Sequence, residues 1–272
     1  MFVLDVRLEK LMMMRVRVLT SVIAISILIF SACTRDESAE RMPVTTDSEL
    51  ALKLYETGMV AHDELKGSIA WGSLMHAVGE DPDFFMAYFW MYFMFSKDSK
   101  GVAEEAFQSD TELSDGEELL KTALKYFVDG QDEKVIETLR KLVDLYPSDP
   151  YTHKILYYIQ YHFHKDIEGA IESLNDAIEA VPEFSYAYNL LGYAFSDLEQ
   201  YDKAEEAFDA YIRVAPGLAN PYDSKGDFYM KTEQYVKAYE SYLKAVEIDP
   251  TNFETSKKKA SKAKQMMEKV SI

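Results

Sequence analysis

The chain of 272 residues carries 47 acidic and 29 basic side chains, a formal net charge of −18 at pH 7. A surface of this sign repels phosphate backbones, so the composition argues against nucleic-acid binding. Hydrophobic residues make up 48% of the chain, with only 8 prolines and 11 glycines, and no segment alternates polar and apolar residues as a strand does. We therefore expect a helical protein with a sizeable core.

The N-terminal region predicts export. Residues 16–30 are almost wholly apolar, Arg15 and Arg17 lie at the start of this run, and two small residues follow it. A basic segment, a short apolar run and small residues are typical of a secretory signal peptide, and the run is shorter than the roughly 20 residues of a membrane-spanning helix. We expect residues 1–32 to be a signal peptide, with the methionine cluster at residues 12–14 as an alternative translation start.

The only cysteine of the chain follows this segment directly. The sequence Phe30-Ser31-Ala32-Cys33 resembles the bacterial lipobox, in which the cysteine is diacylglycerylated, the preceding peptide is removed and the new N-terminus is acylated. The resemblance implies that Cys33 carries acyl chains such as palmitate, which would anchor the protein stably. The alternatives are a small buried cysteine beside an ordinary cleavage site, or an uncleaved anchor.

Residues 33–48 are expected to form a flexible tether, because they are polar, lack helical periodicity and contain Pro43. Thr34 differs from the acidic residue that retains some lipoproteins at the inner membrane. The resemblance therefore implies an outer-membrane lipoprotein of the cell envelope, with the periplasmic side favoured over the cell surface.

Residues 185–252 repeat themselves at a spacing of 34 residues. The matched positions are Gly192 with Gly226, Ala204 with Ala238, Phe208 with Tyr242, and Pro216 with Pro250. This pattern resembles the tetratricopeptide repeat, in which small residues let two helices approach and a proline ends the second helix. The resemblance implies an all-α solenoid, a right-handed superhelix of antiparallel helix pairs.

In the same register the repeat extends over residues 49–272. We expect about six units and a cap helix, at residues 51–84, 85–115, 116–150, 151–184, 185–218, 219–252 and 253–270. The second unit is degenerate, since residues 84–95 are apolar on all helical faces and predict a buried helix. In the fourth unit Tyr158 replaces the glycine, so its helices are expected further apart, and an extra residue, Pro150, precedes it. The lysine-rich last helix is expected to cap the solenoid, with a basic patch for lipid or an acidic partner as the alternative.

No catalytic motif is present in the sequence. It lacks a glycine-rich phosphate loop, a nucleophile elbow and a zinc motif, and no third ligand follows His162 and His164 at a suitable spacing. Paired acids such as Glu205 and Glu206 are expected on solvated helix faces. We therefore predict a non-enzymatic protein with no metal and no cofactor.

The resemblance implies that a protein or peptide partner binds the concave face, at positions 2, 5, 9 and 12 of each first helix. In the last three units these positions are Thr152, Ile155, Ile159, His162, Tyr186, Asn189, Tyr193, Ser196, Asn220, Asp223, Asp227 and Met230. Only Asn189 and Asn220 fit the family's carboxylate clamp, so no clamp is expected. In the earlier units the positions are apolar: Tyr55, Met59, Phe89, Phe93, Leu120, Leu124 and Phe127. A tight superhelix that buries them is favoured over a groove for an amphipathic helix.

Together these features predict a membrane-anchored scaffold or adaptor for protein–protein interaction in the bacterial cell envelope. The first alternative is a subunit of an outer-membrane assembly or secretion machine. The second is a lipoprotein that binds a small ligand or a glycan in the aromatic-rich region.

Overall fold

The computed structural model of the protein describes residues 41–94, 99–108 and 111–270. Within these ranges the chain forms thirteen α-helices and no β-strand, which confirms the predicted all-α fold. The helices are α1 (Glu49–Asp63), α2 (Gly67–Glu80), α3 (Phe85–Met94), α4 (Ser99–Gln108), α5 (Asp115–Val128), α6 (Asp132–Leu145), α7 (Pro150–Ile159), α8 (Ile167–Ala180), α9 (Ser185–Asp197), α10 (Tyr201–Val214), α11 (Asn220–Lys231), α12 (Tyr235–Ile248) and α13 (Glu254–Val270). The expected signal peptide and Cys33 lie outside the described residues.

The helices pack in pairs along the chain. Helix α1 packs on α2, the next ten helices form five further pairs in the same way, and α13 packs on α12. Each pair also contacts the pair that follows it. The expected α-solenoid of six units with a terminal cap helix is therefore confirmed. Among the described helices, none combines the length and apolarity needed to cross a bilayer.

A left-handed residue joins the two helices in each of the five pairs whose connection the structure describes. These residues are Leu65, Gly130, Lys165, Glu199 and Glu233, with φ between 56° and 69°. After four of them, the next residue donates its backbone N–H to the carbonyl five positions earlier at 2.8–2.9 Å, which satisfies the end of the first helix and reverses the chain. The same turn therefore recurs at the same repeat position, although only one of the five residues is glycine.

The two clearest repeats share a close approach of an aromatic ring to a glycine. A Cβ atom at Gly192 would lie 2.5 Å from Cε1 of Phe208, and one at Gly226 would lie 2.6 Å from Cε1 of Tyr242. Both rings are buried on the second helix of the pair. The glycine is required here because a β-carbon would occupy the space of the ring.

The core consists of three clusters of buried side chains in chain order. The first lies between residues 42 and 159, the second between 157 and 207, and the third between 204 and 263. The aromatic and methionine segment that was predicted to be buried supplies much of the first cluster. Its fully covered side chains are Phe84, Phe85, Met86, Phe89, Trp90 and Met91. Burial of large aromatic rings is a major apolar contribution to stability.

Residues 41–48, which we call the N-terminal strap, are the described part of the expected tether, and they are bonded to the helices. The backbone N–H of Met42 donates to Asp149 Oδ2 at 3.1 Å, and the side chain of Met42 is buried. The backbone N–H and hydroxyl of Thr45 donate to the two carboxylate oxygens of Glu117 at 2.8 and 2.5 Å. The chain is therefore held to the solenoid from about Met42 onward, although its composition predicted a flexible segment.

The close ring–glycine approach predicts opposite effects for two alanine substitutions. Gly192→Ala should lower the free energy of unfolding by about 1–3 kcal/mol, because the new methyl group overlaps Phe208. Gly72→Ala is the control, since a Cβ there meets no atom within 4 Å, and it should raise stability by up to about 1 kcal/mol through helix propensity. Urea denaturation followed by circular dichroism measures both. Equal effects of the two changes would contradict this packing.

Candidate binding groove

The first helix of the fourth pair is displaced by one residue from the expected repeat. His153 Nε2 donates to the carbonyl of Pro147 at 2.9 Å, and the Tyr188 hydroxyl makes the corresponding bond to Pro182 at 3.0 Å, so these helices are 35 residues apart. The second helices keep the spacing of 34. A π-helical turn, Gln160–His164, continues α7 and accommodates the extra residue.

This displacement changes which residues face the groove. The residues equivalent to Tyr186, Asn189 and Tyr193 are Tyr151, Lys154 and Tyr158. The expected face residues Thr152, Ile155 and Ile159 are instead buried, at 1–3% exposure, and the two isoleucines belong to the first core cluster. In the same way Tyr157, and not Tyr158, is equivalent to Gly192, and it is buried. The extra residue therefore lies in the π-helical turn, and the assignment of these face positions shifts by one.

The other expected face residues differ in exposure. Asn189, Ser196 and Asn220 are buried. His162 is exposed, and the half-buried residues are Tyr186, Tyr193, Asp223, Asp227 and Met230. The Asn220 amide donates to the Tyr211 hydroxyl at 2.9 Å, whereas Asn189 Oδ1 has no hydrogen-bond donor among the described residues. Only the exposed and half-buried members offer surface to a partner.

The apolar face positions of the first three units are mostly covered, as the favoured alternative predicted. Buried residues of this set are Tyr55, Met59, Phe89, Leu120 and Leu124. Phe93 and Phe127 are half-buried and pack at the edge of the first core cluster. The groove is therefore filled by its own side chains over most of its first half.

A buried ion pair closes this end of the groove. Lys154 Nζ lies 2.5 Å from Asp63 Oδ1 and 3.0 Å from His62 Nδ1, and the Tyr151 hydroxyl donates to Asp63 Oδ2 at 2.8 Å. The lysine side chain is only 4% exposed. The Tyr186 ring also lies beneath the ammonium group, with its centroid at 4.3 Å. These contacts bring the end of α1 against α7 and α9.

The protonation of this cluster follows from its burial. Burial lowers the pKa of Lys154, and the charge of Asp63 opposes that shift. Burial acts to raise the pKa of Asp63, but Lys154 and the hydrogen bonds, including that of Tyr151, outweigh it and leave the pKa below its ordinary value. Burial also lowers the pKa of His62, which favours the neutral ring, and its Nδ1 can then accept a hydrogen bond from the lysine ammonium group. The opposite charges of Lys154 and Asp63 therefore offset each other inside the fold.

A second ion cluster covers the acidic face positions of the sixth pair. Lys259 of the cap helix lies 2.8 Å from both Asp223 and Asp227, and Ser256 donates to Asp223 at 2.6 Å. Burial acts to lower the pKa of Lys259, but the two carboxylates outweigh it and raise the pKa above the ordinary value. The cap helix thus offsets one of the two negative charges and holds both carboxylates in contact with Lys259.

A surface that we call the aromatic ledge lies at the C-terminal ends of α3, α5 and α7, and it is formed by Phe93, Phe127, Tyr158, His162 and Phe163. Ring centroids are 4.9 Å apart for Phe93 and Tyr158, 4.7 Å for Phe127 and Phe163, and 4.3 Å for Tyr158 and His162. Phe163 is 50% exposed, and burial lowers the pKa of His162. The π-helical turn carries the last two residues, and such turns are frequent at functional sites.

The part of the chain that the structure describes contains no group of three potential metal ligands placed to hold an ion. His162 and His164, considered as a ligand pair in the sequence, lie in the π-helical turn, where His162 packs on Tyr158. The chemistry available in the groove is therefore aromatic contact and hydrogen bonding.

Three features of the groove were missed from the sequence. Because of the one-residue shift, the predicted face positions did not include Lys154 and Tyr151. Asp63 was missed because it lies at the end of α1, 91 residues before its partner Lys154. Phe163 was noted only as the residue between two histidines. The spacing of 35 between the prolines at 147 and 182 was the signal available for the shift.

The buried pair predicts a non-additive result in a double-mutant cycle. Lys154→Met should lower the free energy of unfolding by about 3–5 kcal/mol, because it leaves the carboxylate of Asp63 without its cation. Adding Asp63→Asn should recover a large part of this loss, since the remaining groups are uncharged. Urea denaturation of the two single variants and the double variant measures the coupling. A double variant as destabilised as the sum of the singles would show that the pair does not interact.

Comparisons with known proteins agree with the repeat. Tetratricopeptide repeat family models match residues 164–219 and 219–252, so the match begins inside the π-helical turn and omits the displaced helix α7. No curated protein matches the chain.

Among solved structures, TTC0263, a thermophilic TPR protein in Thermus thermophilus, is 16% identical with a TM-score of 0.49, over 78% of this chain and 97% of that chain. A structure of MamA is 26% identical with a TM-score of 0.46, over 58% of this chain and 94% of that chain. MamA 41-end from Desulfovibrio magneticus RS-1 is 20% identical with a TM-score of 0.43, over 58% and 95%. On the family matches, the chain carries tetratricopeptide repeats over residues 164–252, within an all-helical solenoid.

Proposed function

We propose that the protein is a membrane-anchored tetratricopeptide lipoprotein that acts as a scaffold or adaptor for other proteins in the bacterial cell envelope. Tetratricopeptide repeats point to protein partners in general. The observation that carries the proposal here is the aromatic ledge, which exposes aromatic rings at the C-terminal ends of α3, α5 and α7.

The ledge fits an apolar protein segment better than a charged one. Its rings contact one another and leave half of the Phe163 side chain exposed. Aromatic side chains of this kind supply a large contact area at low conformational cost and are enriched at interfaces. Two charged clusters of the groove are already paired, Lys154 with Asp63 and Lys259 with Asp223. A partner would therefore gain most of its binding energy from apolar contact with the ledge.

The anchor in this proposal is lipid on Cys33. Arg41, the first residue that the structure describes, lies eight positions later, and this stretch spans at most roughly 26–29 Å when fully extended. Because the strap is bonded to the helices from Met42, this short segment limits how far the solenoid can lie from the membrane surface. An envelope scaffold would in this way present its groove close to membrane-bound partners.

The ledge predicts a loss of partner affinity. A partner recovered by crosslinking in cells should bind Phe163→Ala at least tenfold more weakly, since truncation removes a ring of the ledge that is 50% exposed. Tyr201→Ala is the control, because that ring is 39% exposed at the start of α10, outside the groove. Titration of the purified partner measures both. Equal affinity of the two variants would place the binding surface elsewhere.

The anchor predicts a change of cell fraction. Cys33→Ala should move the protein from the membrane fraction to the soluble fraction and abolish labelling by radioactive fatty acid, whereas Thr34→Ala should retain both. A Cys33→Ala protein that stays with the membrane, together with an unlabelled wild type, would reject the lipid anchor. This result would leave the ledge as a binding surface untouched.

A further inference from the structure

A cavity of about 540 Å³ lies at the other end of α7 from the aromatic ledge. It is open on one side and lined by the N-terminal strap and helices α1, α3 and α7. Its lining consists of Arg41, Met42, Val44, Leu52, Tyr55, Glu56, Met59, Val60, Met86, Trp90, Asp149, Tyr151, Thr152 and Ile155. Small-molecule sites in proteins typically enclose about 300–1,000 Å³, so the cavity has the size of a ligand site.

The cavity has an apolar interior and a more polar mouth. The inner wall includes Met59, Met86 and Ile155, which are at most 3% exposed. At the mouth, Arg41, Glu56 and Val60 are exposed. Methionine thioethers adapt to the shape of an apolar guest, and three methionines line this cavity. A ligand would therefore place an apolar body inside and a polar end at the mouth.

The polar groups in the interior are donors or are already bonded. The Asp149 carboxylate accepts backbone N–H groups from Met42 and Tyr151, at 3.1 and 2.9 Å. Trp90 is 1% exposed, and its Nε1–H interacts with the Tyr55 hydroxyl, where it acts to lower the tyrosine pKa, but it completes no hydrogen bond of acceptable geometry among the described residues. The Tyr55 hydroxyl is a second buried donor, and burial raises its pKa, so it keeps its proton. The two buried donors, Trp90 and Tyr55, could therefore bond to an oxygen acceptor supplied by a ligand.

These features select among ligand classes. A glycan carries many hydroxyl groups, and an interior with so few polar partners would leave them unsatisfied. An anionic head would face two carboxylates, Asp149 and Glu56, against the single cation Arg41, and all three line the same cavity. An uncharged chain with one or two oxygen acceptors meets both conditions.

We propose that this cavity binds the acyl chain of an uncharged single-chain lipid, of the monoacylglycerol class, with its ester carbonyl as the acceptor for the Trp90 indole N–H. The acyl chain lies against the methionine and isoleucine wall, and the glycerol end lies at the mouth between Arg41 and Glu56. The site does not depend on the protein partner of the ledge, because it is built at the opposite end of α7. The strap forms part of its wall through Met42 and Val44.

Tryptophan fluorescence tests this proposal directly. The chain contains two tryptophans, so Trp71→Phe leaves Trp90 as the reporter inside the cavity. Cys33→Ala in the same full-length chain removes any lipid of its own that could occupy the site. A monoacylglycerol with a brominated chain, added below its aggregation concentration, should quench the fluorescence of Trp90 saturably.

Matched variants separate the cavity from the rest of α1. Leu52 lines the cavity, and Leu52→Arg should weaken the apparent affinity at least tenfold because it places a charge across the opening. Leu50→Arg is the control, since Leu50 is 51% exposed and does not line the cavity. Circular dichroism of both variants verifies that each is folded.

The quenching results decide whether the cavity binds a monoacylglycerol. They also decide whether the quenching acyl chain comes from the monomeric ester or from a bilayer. Saturable quenching that Leu52→Arg weakens and Leu50→Arg retains supports it. Absence of quenching by the monomeric ester, or equal quenching in both variants, overturns it. Quenching by vesicles of brominated phosphatidylcholine without quenching by the monomeric ester also overturns it, since this result reports contact with a bilayer surface. Each outcome is independent of the partner measurement at Phe163.

Discussion

The ion pair of Lys154 and Asp63 determines how the first half of the solenoid closes. A buried charge is costly unless it is paired and hydrogen-bonded, and here each charge is satisfied only when the end of α1 meets α7. Tyr151, which bonds to the same carboxylate, also forms part of the wall of the cavity. The pair therefore holds the cavity in place at the N-terminal end of α7. At the C-terminal end of the same helix, the aromatic ledge remains the open part of the groove.

The π-helical turn Gln160–His164 is the second constraint on the groove. One extra residue in the fourth unit would otherwise rotate the second helix of that pair out of register, because each residue of a helix turns the chain by about 100°. The turn absorbs the residue, so that Ala170 and Leu174 still pack as their counterparts do one repeat later. It also carries His162 and Phe163 to the surface beside Tyr158. A local irregularity of the backbone thus coincides with the most exposed aromatic surface of the groove.

The repeat spacing made the helix pairs predictable, and the apolar residues on all helical faces made the buried helix α3 predictable, because each signal lies within about 34 positions of sequence. The left-handed turns were not predicted, since four of the five left-handed residues are not glycine. The register of α7 was not predictable in the same way. The sequence assigned the extra residue to Pro150, whereas the hydrogen bond of His153 places it ten or more residues later. Asp63 and Lys154 are 91 residues apart in the sequence, so no local sequence pattern indicates their contact. The strap was expected to be flexible from its composition, which does not reveal that Met42 fits against Gly116.

The strap has a mechanical consequence. Its bonds go to Glu117 at the start of α5 and to Asp149 at the start of α7, so a pulling force applied upstream of Arg41 reaches the third and fourth pairs before it reaches α1. The hydrogen bonds of Met42 and Thr45 would carry this load first, and the bond of Thr46 to Asp81 at the end of α2 comes next along the chain. Tension on the N-terminal side would therefore act on three helix pairs through the strap before it acts on α1.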